Sequence, residues 1–152
     1  MPRPDERDFL RMALQNNMAA VAFCECLFRV SQTWDDLIDQ DKEVSKNQIN
    51  SMMWEALVVL PSNPFYQRWQ HELQPLLKAF ILDWIDATTL ESTDDHGKNI
   101  AFVLRDSVGA VVSHCAYLIG GYDWMVKVSP DVRRHIFEEK LEDYKQKLEV
   151  TK

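Results

Sequence analysis

The sequence has little of what β-rich folds, disulfide scaffolds and nucleic-acid-binding proteins need. Its 152 residues include only 4 glycines, 6 prolines and 3 cysteines, and no Asn-Gly or Asp-Gly pair marks a β-hairpin turn. The odd number of cysteines favours reduced thiols over a disulfide framework. The formal net charge of -7 argues against nucleic acid and against an anionic membrane surface as partners.

Signals for secretion or membrane insertion are also missing. The first ten residues, MPRPDERDFL, are charged and lack the apolar core of a signal peptide. The most apolar stretch, residues 99–121, contains Arg105, Asp106 and His114, which a lipid-facing helix would have to bury in hydrocarbon. We therefore expect a cytoplasmic protein with no membrane partner.

Apolar residues recur at the three- and four-residue steps typical of α-helices, and 46% of the chain is hydrophobic. These features predict a single all-α domain over residues 1–152, a bundle of four to five long helices. The first two predicted helices cover residues 5–43, with an interruption near 15–17, and 46–60, after a Ser45 N-cap. A third covers 65–88, where Pro75 should kink the helix or separate its first turn. The last two cover 98–119, ending at Gly120-Gly121, and 131 onward.

The stretch WDDLIDQDK at residues 34–42 contains the pattern D-D-x-x-D. On a helix, Asp35 and Asp39 lie one turn apart, and Asp36 and Asp39 are neighbours at i and i+3. The like charges repel, and negative charge near a helix C-terminus opposes the helix dipole, so a bound cation would stabilise the arrangement. Oxygen ligands of this kind suit Mg²⁺. The alternative interpretation is a solvated acidic helix end.

Cationic and acidic side chains elsewhere would complete such a site. Arg29, Lys42 and Arg105 are the candidate contacts for a metal-bridged diphosphate. Asp83 and Asp86, at i and i+3 on the third predicted helix, would extend the metal site if they faced the motif across the bundle. The alternative for these two aspartates is ion pairing with arginine or lysine.

Two residues of the fourth predicted helix are candidates for contacts with the metal ligands rather than with the metal itself. Asp106 and His114 lie eight residues apart on this helix, close to the small residues Gly109, Ala110 and Ser113. The alternative for Asp106 is a buried ion pair with its neighbour Arg105. The alternative for His114 is a core histidine whose hydrogen bonds are satisfied.

The segment FCECLFRVSQTWDDLIDQDKEVS, residues 23–45, resembles the helix that carries the first aspartate-rich motif of isoprenoid synthases. That superfamily includes trans-prenyl diphosphate synthases and squalene/phytoene synthases. The resemblance implies a shortened isoprenoid-synthase-like fold in which Asp35, Asp36 and Asp39 bind the Mg²⁺ ions that hold a substrate diphosphate. The chain contains no clean copy of the family's second metal-binding motif.

Three functions are compatible with these patterns. The first is a Mg²⁺-dependent diphosphate-binding protein. The second is an all-α nucleotide pyrophosphohydrolase, which also binds Mg²⁺ through helix carboxylates, although the E-x-x-E and E-x-x-D pattern expected for it is missing. The third is a non-enzymatic helical accessory or oligomeric protein. A short bundle with exposed apolar stripes also favours a homodimer.

Overall fold

The structure, a computed structural model, describes residues 4–40 and 42–150, with the side chain of Val150 excepted. Within these ranges all regular structure is helical, which confirms the predicted all-α class. The elements are α1 (Glu6–Ala13), α2 (Met18–Asp39), α3 (Lys46–Trp54), a π-helix (Glu55–Val59), α4 (Leu60–Ser62), α5 (Pro64–Leu90), α6 (Asp95–Leu104), α7 (Ser107–Ile136) and α8 (Leu141–Val150).

The chain divides into two compact units, residues 1–70 and 71–152. The boundary lies inside α5, next to Trp69, whose φ of -113° and ψ of 20° interrupt the helix. The helical break falls at Trp69, so the prediction of a kink at Pro75 itself is wrong, whereas the start of α5 is separated from the rest of the helix, as the alternative prediction has it. A single domain over the whole chain stays a prediction.

The first unit has a core of apolar side chains from α1, α2 and the start of α5. Leu10, Val21 and Phe23 are fully buried, and the ring of Phe23 stacks on Tyr66 with centroids 5.7 Å apart. Burying one large apolar side chain contributes about 1.5–3 kcal/mol to stability. This core fixes the positions of α2 and the helices that pack against it.

The connection between α1 and α2 confirms the interruption predicted near residues 15–17. Gln15 and Asn16 adopt left-handed backbone with φ of 51° and 59°, which a continuing helix cannot accommodate. Asn17 then caps α2, because its side-chain oxygen accepts a hydrogen bond from the Ala20 N–H at 3.1 Å.

The start of α3 confirms the predicted Ser45 cap. Ser45 Oγ accepts from the Gln48 N–H at 3.1 Å, and Gln48 Oε1 accepts from the Ser45 N–H at 2.8 Å. This reciprocal pair is a capping box. After Trp54 the helix widens into the π-helix, in which the Leu60 N–H donates to the Glu55 carbonyl.

The second unit breaks its helices where the sequence places polar or flexible residues. The helix predicted over residues 98–119 begins at Asp95, where Asp94 accepts from the Gly97 N–H at 2.8 Å, and it is divided between α6 and α7. Gly121 has φ of 86° and ψ of -176°, so the backbone leaves the helix near the predicted glycine stop. The predicted last helix is divided between α7 and α8.

One stretch of the described residues, within Asp95–Glu149, is long and apolar enough to cross a membrane by length and composition alone. The core helices of soluble proteins meet the same criterion. Several side chains of this stretch, including Val111, Val112 and Val132, are buried in the second unit. The absence of a membrane partner stays a prediction.

Candidate functional site

The aspartates of the D-D-x-x-D pattern lie in the last turns of α2. The helix ends at Asp39, and Gln40 adopts a left-handed conformation from which its N–H donates to the Asp36 carbonyl. The end of the helix therefore comes before Glu43, where the sequence predicts it. Asp35 and Asp36 are half-buried and Asp39 is exposed, so the pattern does occupy an acidic helix end.

The carboxylates of the D-D-x-x-D pattern do not form a three-residue metal-binding group. Asp36 Oδ1 accepts a hydrogen bond from Gln32 Nε2 at 2.9 Å. Over residues 4–40 and 42–150, no group of three or more His, Cys, Asp or Glu side chains is placed to hold a metal ion. Mg²⁺ typically uses one or two protein carboxylates and retains water, so the chemistry of Asp35 and Asp39 suits it. The Mg²⁺ site stays a prediction.

Arg29, a predicted diphosphate contact, is paired with Glu55 at the start of the π-helix. The Arg29 Nε and Nη2 atoms both lie 2.7 Å from Glu55 Oε1. The pair joins α2 to the π-helix, and the half-exposed guanidinium keeps its energetic contribution small. Lys42, the second predicted contact, is exposed beyond the end of α2.

Cys26 lies against the same turn. Its Sγ donates to the Glu55 carbonyl at 3.7 Å. Burial raises the pKa of the Cys26 thiol to about 11, the Glu55 carboxylate adds to the rise, and Arg29 opposes it. Because the thiolate is the reactive form of cysteine, the burial and the raised pKa favour a structural role for Cys26 over a reactive one.

We expect the thiols of the native protein to react slowly with a disulfide reagent at pH 8. At that pH about one in a thousand Cys26 side chains would be ionised, and Cys24 and Cys115 are also buried. Native labelling should be at least ~100-fold slower than labelling of the guanidinium-unfolded chain, which exposes all 3 thiols. Equal labelling rates for the native and unfolded chains would contradict the burial of the thiols. Comparison with a Cys26→Ser variant identifies how much of the labelling occurs at Cys26.

Arg105, the third predicted diphosphate contact, forms an ion pair inside the second unit. Its Nη2 donates to Glu91 Oε1 at 2.7 Å, and the two side chains are only 15% and 11% exposed. The Tyr144 hydroxyl donates to the same oxygen, and the guanidinium lies 5.3 Å from the Trp84 ring centroid. Burial and Glu91 raise the pKa of Tyr144, which keeps this hydroxyl protonated. The geometry favours a structural role for Arg105.

Asp106 pairs with Arg133 and not with its neighbour Arg105. Arg133 Nη1 donates to Asp106 Oδ2 at 2.6 Å. Burial raises the pKa of the Asp106 carboxyl, whereas the charge and hydrogen bond of Arg133 lower it. A Cβ atom at Gly109 would lie 2.9 Å from Arg133 Nη1, so the glycine makes room for this pair. The alternative of an Arg105–Asp106 pair is therefore wrong.

Two of the three remaining predicted site residues, Asp83 and His114, have partners within the second unit. Asp83 Oδ2 accepts from Ser107 Oγ at 2.6 Å, while Asp86 is exposed. His114 Nε2 lies 3.1 Å from Glu72 Oε2, and its ring contacts Tyr117. Convergence of Asp83 and Asp86 with the acidic end of α2, which belongs to the first unit, stays a prediction.

Sequence reasoning missed the partners Glu91, Arg133 and Tyr144. Glu91 lies between the predicted helices 65–88 and 98–119, and Arg133 and Tyr144 lie in the predicted last helix. The available signal was the triplet Arg105-Asp106-Ser107 within an apolar helix, because buried polar groups require hydrogen-bond partners. That signal predicts that partners exist without identifying them.

Comparisons with protein-family models, with curated proteins and with solved structures find no match to this chain. The isoprenoid-synthase-like character of residues 23–45 therefore stays a prediction from that segment.

Proposed function

We propose that this chain is a non-enzymatic helical protein that works through contacts with other protein surfaces. The observation that carries this proposal is that several ionisable side chains are held in ion pairs or hydrogen bonds within each unit. These pairs are Arg29 with Glu55, Arg105 with Glu91, Asp106 with Arg133, Asp83 with Ser107, and His114 with Glu72.

Such pairs support a structural role because breaking them lowers the stability of the fold. Removing one partner of a buried pair leaves the other charge without compensation and costs about 3–5 kcal/mol. Arg105 and Glu91 are nearly buried, so turning either group towards a substrate would incur much of that cost. Three of these pairs join separate helices, namely Arg29–Glu55, Asp83–Ser107 and His114–Glu72. Such links suit a protein that presents a stable helical surface.

A second candidate function is Mg²⁺-dependent diphosphate binding at the acidic end of α2. The observation that favours it is the placement of Asp35 and Asp39 one turn apart at the end of the helix, with exposed Lys42 after it. Mg²⁺ would take one or two of these carboxylates and complete its shell with water and phosphate oxygens. Lys42 would then offset the remaining charge of the diphosphate.

Thermal melting with ligands separates the two functions. Under the first proposal, Mg²⁺ with pyrophosphate, an allylic diphosphate or a nucleoside triphosphate should leave the melting temperature unchanged. Under the second, a ligand at about 100 times its dissociation constant adds about 2.7 kcal/mol of stability. The Asp35→Asn/Asp39→Asn variant should lose that increment.

The matched control is Glu142→Gln/Asp143→Asn, which neutralises two exposed acids in the first turn of α8. A stabilisation that needs Mg²⁺, persists in this control and disappears in the α2 variant would refute the first proposal. A larger shift with the allylic diphosphate would then favour an isoprenoid-type site, and a larger shift with the nucleoside triphosphate would favour a nucleotide pyrophosphohydrolase.

A further inference from the structure

The first unit presents an exposed apolar stripe at the end of α3 and along the π-helix. We term it the neutral face, and its residues are Met53, Trp54, Leu57, Val58 and Val59. Trp54 is 63% exposed and Leu57 is 67% exposed. Exposed apolar groups on this scale, clustered within seven consecutive positions, are typical of interaction surfaces.

The π-helix shapes the neutral face. In an α-helix, a residue five positions further along points about 140° away from the first. In a π-helix the hydrogen bonds run between residues five apart, as from the Leu60 N–H to the Glu55 carbonyl. Val59 is thereby brought towards the side occupied by Trp54. Single-turn π-helices occur frequently at functional sites.

Charge restricts what can cover the neutral face. Residues 47–63 contain a single ionisable side chain, Glu55, and Arg29 pairs with it. The whole chain has a formal net charge of -7, so two copies repel each other through most of their surfaces. Contact through the neutral face avoids placing like charges opposite one another. The neutral face also lacks the basic groups that attract anionic lipids.

We propose that a second copy of this chain covers the neutral face, forming a homodimer across a two-fold axis. This inference rests on the proposed function, since both require the chain to act through protein contacts. A two-fold interface uses the same patch on both subunits, and an apolar stripe without charge is complementary to itself. Trp54 is the expected centre, because tryptophan often dominates interface energies.

Sedimentation velocity of the full chain over about 1–200 μM tests the dimer. The mass should rise from 17.8 kDa to twice that value. Leu57→Lys places two lysines in the interface and should weaken the dimer at least about 30-fold. The control Ile85→Lys makes the same kind of change at a 51% exposed residue of α5 and should leave association unchanged. Circular dichroism verifies that both variants fold.

Salt provides a further discriminating condition. Because the neutral face carries no uncompensated charge, added salt should preserve or strengthen the dimer by screening the repulsion between the two acidic chains. A wild-type mass of 17.8 kDa throughout, equal association of Leu57→Lys, or a dimer abolished by Ile85→Lys would each overturn the proposal. Co-sedimentation with phosphatidylcholine vesicles that requires Leu57 would overturn it in favour of a bilayer.

The melting experiment with ligands tests the end of α2 at Asp35 and Asp39, whereas sedimentation tests the neutral face. A monomeric protein that shows no ligand response contradicts the dimer alone. A dimer stabilised by Mg²⁺ and diphosphate contradicts the non-enzymatic proposal alone. The two failures are therefore distinguishable.

Discussion

Replacing Arg105 with methionine should lower the free energy of unfolding by about 3–5 kcal/mol, because the nearly buried Glu91 carboxylate loses its cation. Methionine retains much of the apolar stem that lies near Trp84. The loss should therefore come chiefly from the unpaired charge, and from the Tyr144 hydroxyl that shares the carboxylate. Guanidinium titration followed by circular dichroism measures it.

Two further variants assign that loss to the ion pair. Arg105→Met/Glu91→Leu replaces both charges with apolar groups and should regain most of the stability, because no buried charge remains. Arg7→Met, which removes the exposed pair between Arg7 and Glu25, should cost less than about 1 kcal/mol. If Arg105→Met unfolds like the wild type, the pair does not contribute as the structure implies.

Phe23→Ala should cost about 3–5 kcal/mol, the range expected when a fully buried phenylalanine is truncated. The ring packs against both Phe65 and Tyr66, so its loss opens a cavity in the core of the first unit. The matched control is Ile38→Ala on the same helix, which is exposed and should change stability by no more than about 0.5 kcal/mol. Similar midpoints for the two variants would contradict the described core.

The local parts of the fold were predictable because they depend on hydrogen bonds between residues close in sequence. Asn17 and Ser45 each satisfy the first turn of the helix that follows them, and Gly121 permits a backbone conformation that other residues resist. The apolar steps of three and four residues likewise predicted that the aspartates lie in the last turns of a helix, although α2 ends at Asp39 and not near Glu43. No local sequence signal predicted the π-helix, because an apolar run such as EALVV also suits an α-helix.

The chain by itself thus determined the all-α class, the starts of α1, α2, α3 and α5, and the acidic end of α2, because each follows from neighbouring residues. Only the tertiary structure decided that Arg105 pairs with Glu91 and Asp106 with Arg133, 14 and 27 residues away. Several acidic side chains of the chain are possible partners for each arginine, and the packing of the helices determines which one lies within reach. The same packing decides which apolar stripe is buried, and it leaves Trp54 and Leu57 facing the solvent.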